Sequence, residues 1–334
     1  MRDLHRLDSR LLKELMSNNA LESNFLPREA GLRVIESAAE TQMMVSAKCR
    51  DAKVEDLWSL TSFFGYSTQT FVQAVNILDR FLAIMKVQPK HLACIGVCCL
   101  HIATKMVEEE CNISPPQELI RISQSKFTVS DLTRMEKIIS EKLNSELKAV
   151  TALTFLNLYH AALVSLTSAR EDVPRLGKLE AQLKACLCQL VFSKAKPSVL
   201  ALSLVAQEFD AFQSTAMLKI VHQLQKQLKI SESELHYWRV LVAKCMTKYS
   251  SGECNKPDSK KLVWIVSRRT AQNLNANRVS VPELPTIPEV NWDESESEDS
   301  FEDMSSEEES LCGSPGSDAD GFFFPSGLRY KGRK

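Results

Sequence analysis

The sequence predicts an all-α protein: two tandem modules of five helices, a lone helix ahead of them and a disordered acidic tail behind. Three observations carry this. Apolar residues recur at three- and four-residue spacing nearly throughout, and alternating strand-like runs are absent. Helix-start signals punctuate the pattern. The helices also fall into two consecutive groups of five, each of about a hundred residues, the size of an ordinary small domain. No simple sequence repeat accompanies that grouping, so the duplication is inferred from element count.

Residues 9–23 read as an amphipathic helix followed by a link punctuated by Pro and Gly. The first module is expected as helices near 52–64, 69–86, 90–108, 116–123 and 130–144. Pro89 suits the first turn of the third. The fourth begins SPPQ, with Ser114 as N-cap, Pro115 at the first helical position and Gln117 closing a capping box. The second module is expected at about 151–166, 177–193, 197–208, 213–228 and 232–249. Pro197 opens its third helix, and Ser231 with Glu234 forms an S-x-x-E capping box before the last.

The stretch FVQAVNILDRFLAIM, residues 71–85, is the most informative helix. On a helical wheel Gln73, Asn76, Arg80 and Ala83 form one narrow stripe and the rest is apolar, as expected of a central helix surrounded on most sides. Arg80 lies within the stripe and is expected to reach solvent. Asp79 sits at its edge beside Val72 and Val75. Either it leans to water or it is buried against a cation, and periodicity does not choose between the two.

Composition narrows the function classes. A chain that is 44% hydrophobic and 25% charged is typical of a soluble globular protein. No run of eighteen uncharged apolar residues marks a membrane span, and MRDLHRLDSRLLKELM carries charge too early and too often for a secretory signal. Most of the ten cysteines lie inside apolar helical patterns, which argues for reduced thiols in a cytosolic or nuclear protein.

The net charge of −1 conceals a division. Residues 1–278 carry 37 basic and 28 acidic side chains, whereas Glu283 to Asp320 holds fourteen acids and no Lys or Arg. A mildly basic body thus precedes a strongly acidic segment. That segment has too little apolar surface to offset chain entropy, so it is expected to be disordered. Ser295, Ser300, Ser305, Ser306 and Ser317 each have an acid three positions on, the pattern of acid-directed kinases, and Ser314 precedes Pro315. The same stretch resembles segments that promote rapid turnover. Upstream, KKLVWIVSRRT, residues 260–270, reads as a basic-flanked arm packed on the body.

Other chemistries find little support. Cys94, Cys98 and His101 share a helix face, but neighbouring residues do not complete a zinc set, and buried cysteine is an ordinary core residue. No nucleophile elbow, HExxH or paired-carboxylate motif appears, so no enzyme and no cofactor are expected. Glu108, Glu109 and Glu110 look like a solvated helix end. SKAKPS and VSRRT are too short to make a nucleic-acid face.

AVNILDRFL, followed by IGVCCLHIATKMVEE and RMEKIISEKL, resembles a cyclin box over about residues 50–147, and the second helical set extends the similarity to about 250. DAKVEDL, ISPP, KLVWIVSRRTAQNL, VPELPTIPE and the DESESED tail resemble the G-type cyclins in particular. The resemblance implies an N-terminal helix and link at 1–49, a first cyclin box at 50–148, a second, degenerate cyclin-type module at 149–250, an arm at 251–282 and the tail at 283–334. It also implies residue roles. Arg50 stands at the spacing of the cyclin arginine that pairs with the Asp of DRFL, here Asp79. Lys105 in ATKMVEE and Glu136 in RMEKII take the positions of kinase-contacting residues, Glu136 by motif rather than by spacing.

The implied function is a non-enzymatic regulatory subunit that restrains cell-cycle progression. Its implied partners are a cyclin-dependent-type protein kinase and type 2A protein phosphatase subunits, in the cytoplasm with shuttling to the nucleus. The alternatives are a helical scaffold with no kinase partner and a nucleic-acid-associated cyclin-fold transcription factor. Two departures stand out. Cys49, Ala52, Lys53 and Asp56 occupy positions where many cyclins build an apolar docking patch, so apolar-basic docking peptides are expected to bind weakly or not at all. Met106 stands where an aromatic residue is frequent beside the kinase-facing lysine.

Overall fold

The computed structural model describes residues 9–39, 44–167, 173–212 and 215–251. The 252–334 segment, with the arm, the acidic tail and all six candidate phosphoserines, lies outside the described residues. Within them the chain is helical, with no strand. In order come α1 (Ser9–Leu21), α2 (Glu29–Ser37), α3 (Ala47–Phe64), α4 (Thr68–Leu82), α5 (Pro89–Val107), α6 (Pro116–Ser123) and α7 (Val129–Lys142). Then follow α8 (Ala152–Leu166), α9 (Leu176–Leu187), α10 (Pro197–Phe212), α11 (Thr215–Gln227) and α12 (Glu232–Ser251).

The helix starts repay inspection. Ser46 caps α3, accepting from the Cys49 N–H at 3.3 Å, so α3 begins five positions before the expected residue 52 and Arg50 falls in its first turn. Gly65 ends α3 at φ 70°, the left-handed conformation suited to glycine. Ser67 caps α4 in the same way. The expected cap of α6 is displaced by one residue. Pro115 holds the N-cap position and Pro116 opens the helix, while the Ser114 N–H donates to Tyr66 Oη at 3.2 Å. A full capping box instead precedes α7, with Asp131 N–H donating to Thr128 Oγ1 and Thr128 N–H donating to Asp131 Oδ2. Before α12, Ser231 accepts from the Glu234 N–H at 3.2 Å.

Two differences from the expected elements have physical causes. The link after α1 contains a further helix, α2, whose Leu32 and Ile35 are buried. Its apolar stripe is short, and Pro27 and Gly31 gave it the look of a loop. Gly31 is required by packing: a Cβ there would lie 1.9 Å from the Ala83 carbonyl oxygen. The expected helix 177–193 breaks after Leu187, and a 3₁₀ turn follows over Leu190–Lys194.

Each set of five helices surrounds a central one. In α4, Phe71, Ala74, Ile77, Leu78 and Phe81 are completely buried. In α10, Val199, Leu202, Val205 and Phe209 are likewise. Burying each large apolar side chain contributes on the order of 1.5–3 kcal/mol. α5 is long and apolar enough to cross a membrane, but it is mostly buried within the protein, packed between α3, α4 and α7. The buried apolar residues of both sets form one continuous core.

Candidate partner-binding face and its buried brace

Arg50, in the first turn of α3, is fully buried, as is nearly all of Asp79 on α4. The two meet as a fork on a carboxylate: Arg50 Nε donates to Asp79 Oδ1 at 2.8 Å and Nη2 to Oδ2 at 2.7 Å. Burial pushes the Arg50 guanidinium toward neutrality, but Asp79 and its hydrogen bonds outweigh this and raise its pKa.

The network continues into the second set of helices. Arg50 Nη1 donates to the Leu187 carbonyl at 2.8 Å, a carbonyl left free where α9 ends. The Leu190 N–H, freed by the same break, donates to Asp51 at 2.8 Å. Ser193 in the 3₁₀ turn receives Arg50 Nη2 at 3.2 Å and donates to Asp79 at 2.6 Å. The break in the expected 177–193 helix therefore supplies the groups that complete a buried charge pair. Sequence patterning did not single out Ser193 or Asp51.

The polar stripe of α4 turns inward as well. Gln73 donates to the Ala149 carbonyl at 2.7 Å and accepts from its N–H at 3.1 Å. Asn76 donates to the Phe25 carbonyl at 3.0 Å. Arg80, expected near solvent, is only 7% exposed. It donates to the Glu146 carbonyl at 2.7 Å and lies 5.4 Å from the centre of the Phe25 ring. The wheel had the stripe right and its covering wrong, because the chain segments before α3 and after α7 pack over it.

Lys105, in the last turn of α5, and Glu136, on α7, form an ion pair. Their side chains are 42% and 29% exposed, so both heads remain accessible to a partner. His101 lies one turn below Lys105 and is buried; burial, then the Lys105 charge, lowers its pKa. Met106 is partly buried beside it. Glu108 is not a bare solvated end. It accepts from the Ser67 N–H and the Ser67 hydroxyl, each at 2.8 Å, and from the Thr70 hydroxyl, so it covers the N-terminus of α4. Partial burial opposes ionisation, but the bonds from Thr70 and Ser67 prevail and hold the carboxyl below its usual range.

Other residues of interest have structural surroundings. Cys94, Cys98 and Cys99 are buried within α5; burial pushes the Cys94 thiol up to about 12 and raises the other two well above the usual thiol value. At the docking-patch positions, Lys53 pairs with Asp56 at 2.7 Å while its stem packs over Gly96. Cys49 is partly buried and Ala52 is exposed. A salt-bridged lysine thus occupies this surface rather than an apolar side chain.

The cyclin N-terminal domain matches residues 18–148. Human Cyclin-G2 is 60% identical over 304 residues, covering 91% of this chain and 88% of its own length. The chain belongs to the G-type cyclin family. Human Cyclin-G1 is 50% identical over 84% of this chain and 96% of its own length. The crystal structure of a viral cyclin from herpesvirus saimiri superposes with a TM-score of 0.55 at 20% identity, covering 72% of this chain and all of the viral one, which supports the all-α cyclin-type fold. As a G-type cyclin, the protein is a regulatory subunit rather than an enzyme.

Proposed function

We propose that this G-type cyclin binds a protein kinase through the face that carries Lys105 and Glu136, and that it restrains cell-cycle progression. The observation that carries the reading is the exposed Lys105–Glu136 pair on two helices of a module braced from within. A Lys and a Glu held side by side present a donor and an acceptor to polar groups of an incoming partner and so help to fix its register. The pair satisfies itself until a partner arrives, so its exchange costs little at an exposed site.

A second role, as a bridge to a type 2A phosphatase, rests on the resemblance to the G-type cyclins alone. Affinity purification of the full chain from cells, followed by kinase and phosphatase assays on the eluate, tests both roles. Kinase activity that disappears with Lys105→Ala plus Glu136→Ala is the expected result for the first role. Phosphatase activity in the eluate that the Lys105→Ala, Glu136→Ala double variant leaves unchanged is expected for the second. An eluate with neither activity leaves a helical scaffold as the function.

A further inference from the structure

The buried Arg80 raises a question that the cyclin brace does not answer. Its guanidinium is bonded to a backbone carbonyl rather than to a carboxylate, in a place where a desolvated cation is costly. Burial lowers its pKa, and only the Glu146 charge opposes that.

Arg80 lines a cavity of about 170 Å³ between the segment before α2 and the turn after α7. Arg28 and Lys142, both exposed, line the same cavity, together with Asn24, Asn144 and Glu146. Three cations facing one carboxylate leave the site with two positive charges. Its geometry is fixed from both sides. Asn144 and Ser145 adopt left-handed backbone conformations at φ 53° and 61°, and Ser145 N–H donates to the Ser140 carbonyl at 2.8 Å. The Arg80 guanidinium also lies over the Phe25 ring, 5.4 Å from its centre.

We propose that this cavity binds the phosphate monoester of a phosphorylated peptide, with Arg80 as the inner cation and Arg28 and Lys142 as outer cations. A phosphate monoester carries about −1.5 to −2 charges and three acceptor oxygens, which matches the site better than a single carboxylate does. The planar guanidinium suits bidentate contact with such an oxyanion. Asn24 and Asn144 at the rim supply amide groups for the flanking peptide backbone. The acid-flanked serines of the chain's own acidic segment, or a phosphoserine on a partner, would present the same group. This site is separate from the Lys105–Glu136 face and does not depend on a kinase being bound there.

The test uses the unphosphorylated full chain and a fluorescent peptide of residues 294–306 carrying phosphate on Ser300. The phosphopeptide is expected to bind at least about tenfold more tightly than the unmodified peptide, with affinity falling as salt rises. Arg28→Ala combined with Lys142→Ala, at exposed positions, should weaken binding about tenfold with the helical circular-dichroism signal unchanged. Arg80→Lys, which keeps the charge and removes the guanidinium, should weaken it as well. Phosphorylating the chain's own tail with an acid-directed kinase then distinguishes the sources: suppressed peptide binding assigns the site to the tail, and unchanged binding assigns it to a partner's phosphoserine. Equal affinity for the two peptides, full affinity in the Arg28/Lys142 variant, or binding of inorganic phosphate without binding of the phosphopeptide would each overturn the proposal.

Discussion

At the residue scale, Arg50 is bonded to Asp79, Asp51, Ser193 and the end of α9 at once. Removing one member of a buried ion pair typically costs about 3–5 kcal/mol, because the other charge is left desolvated. Arg50→Ala should therefore lower the unfolding free energy in urea by that amount, and Ser193→Ala by about 2–3 kcal/mol, since it loses two bonds to charged groups. A loss under about 1 kcal/mol for Arg50→Ala would show that Asp79 finds water or another partner. Glu108 makes a pH prediction of definite sign. Its folded pKa lies below the ordinary 4.5, so its contribution is complete above that value and fades as pH falls through the folded value. The stability gap between the wild type and Glu108→Gln should accordingly be present at neutral pH and close in acid. A gap that widens on acidification would contradict the assignment. Of these residues, Asp79 was legible as a carboxylate needing explanation, and the family resemblance named Arg50. Ser193 was not legible, because a serine in an apolar run gives no sign of what chain segment will cross it.

At the element scale, the most informative sites are where helices stop or approach one another. The end of α9 looks like uninterrupted helix in the sequence, since apolar spacing continues through Leu190 and Phe192. Tertiary bonds to Arg50 and Asp51 compensate for the lost helical hydrogen bonds, and no local signal encodes that compensation. α2 illustrates the opposite case. Gly31 reads as a helix breaker, yet here it permits a backbone approach to Ala83. Gly31→Ala should destabilise the protein by about 1–3 kcal/mol through overpacking against a backbone carbonyl, despite alanine's better helix propensity. A thermal melt that is unchanged or raised would show that α2 shifts freely. The Thr128–Asp131 cap of α7 was not singled out in FTVSDL, and that of α6 slipped because two prolines compete for the first turn.

At the scale of the molecule, the two sets of helices are joined by more than the brace. Glu22, almost fully buried, accepts from the N–H and hydroxyl of Ser198 at the start of α10, while Phe25, three residues on, contacts Asn76 and Arg80 of α4. The N-terminal segment thus fastens both central helices. Lys194 of the 3₁₀ turn pairs with Glu36 of α2 at 2.5 Å. Trp58 of α3 stacks on Tyr249 of α12 at 6.3 Å, with the Lys184 ammonium 5.7 Å from its ring centre. The all-α class and the helix order were legible because a 3.6-residue period survives any tertiary arrangement. The cross-bracing was not, since it joins residues more than a hundred positions apart. The Lys105–Glu136 pair falls between these cases: periodicity makes each an ordinary surface residue, and only the packing of α5 on α7 brings them together.

In the proposed function an internally braced module presents that pair to a kinase. The most direct test is to measure, in one experiment, the unfolding temperature and the amount of co-purified kinase for the Lys105→Ala, Glu136→Ala double variant. The account predicts an unfolding temperature close to that of the wild type, since an exposed pair contributes at most about 1 kcal/mol, and a loss of bound kinase of about tenfold or more. Undiminished kinase on a fully folded double variant would contradict it.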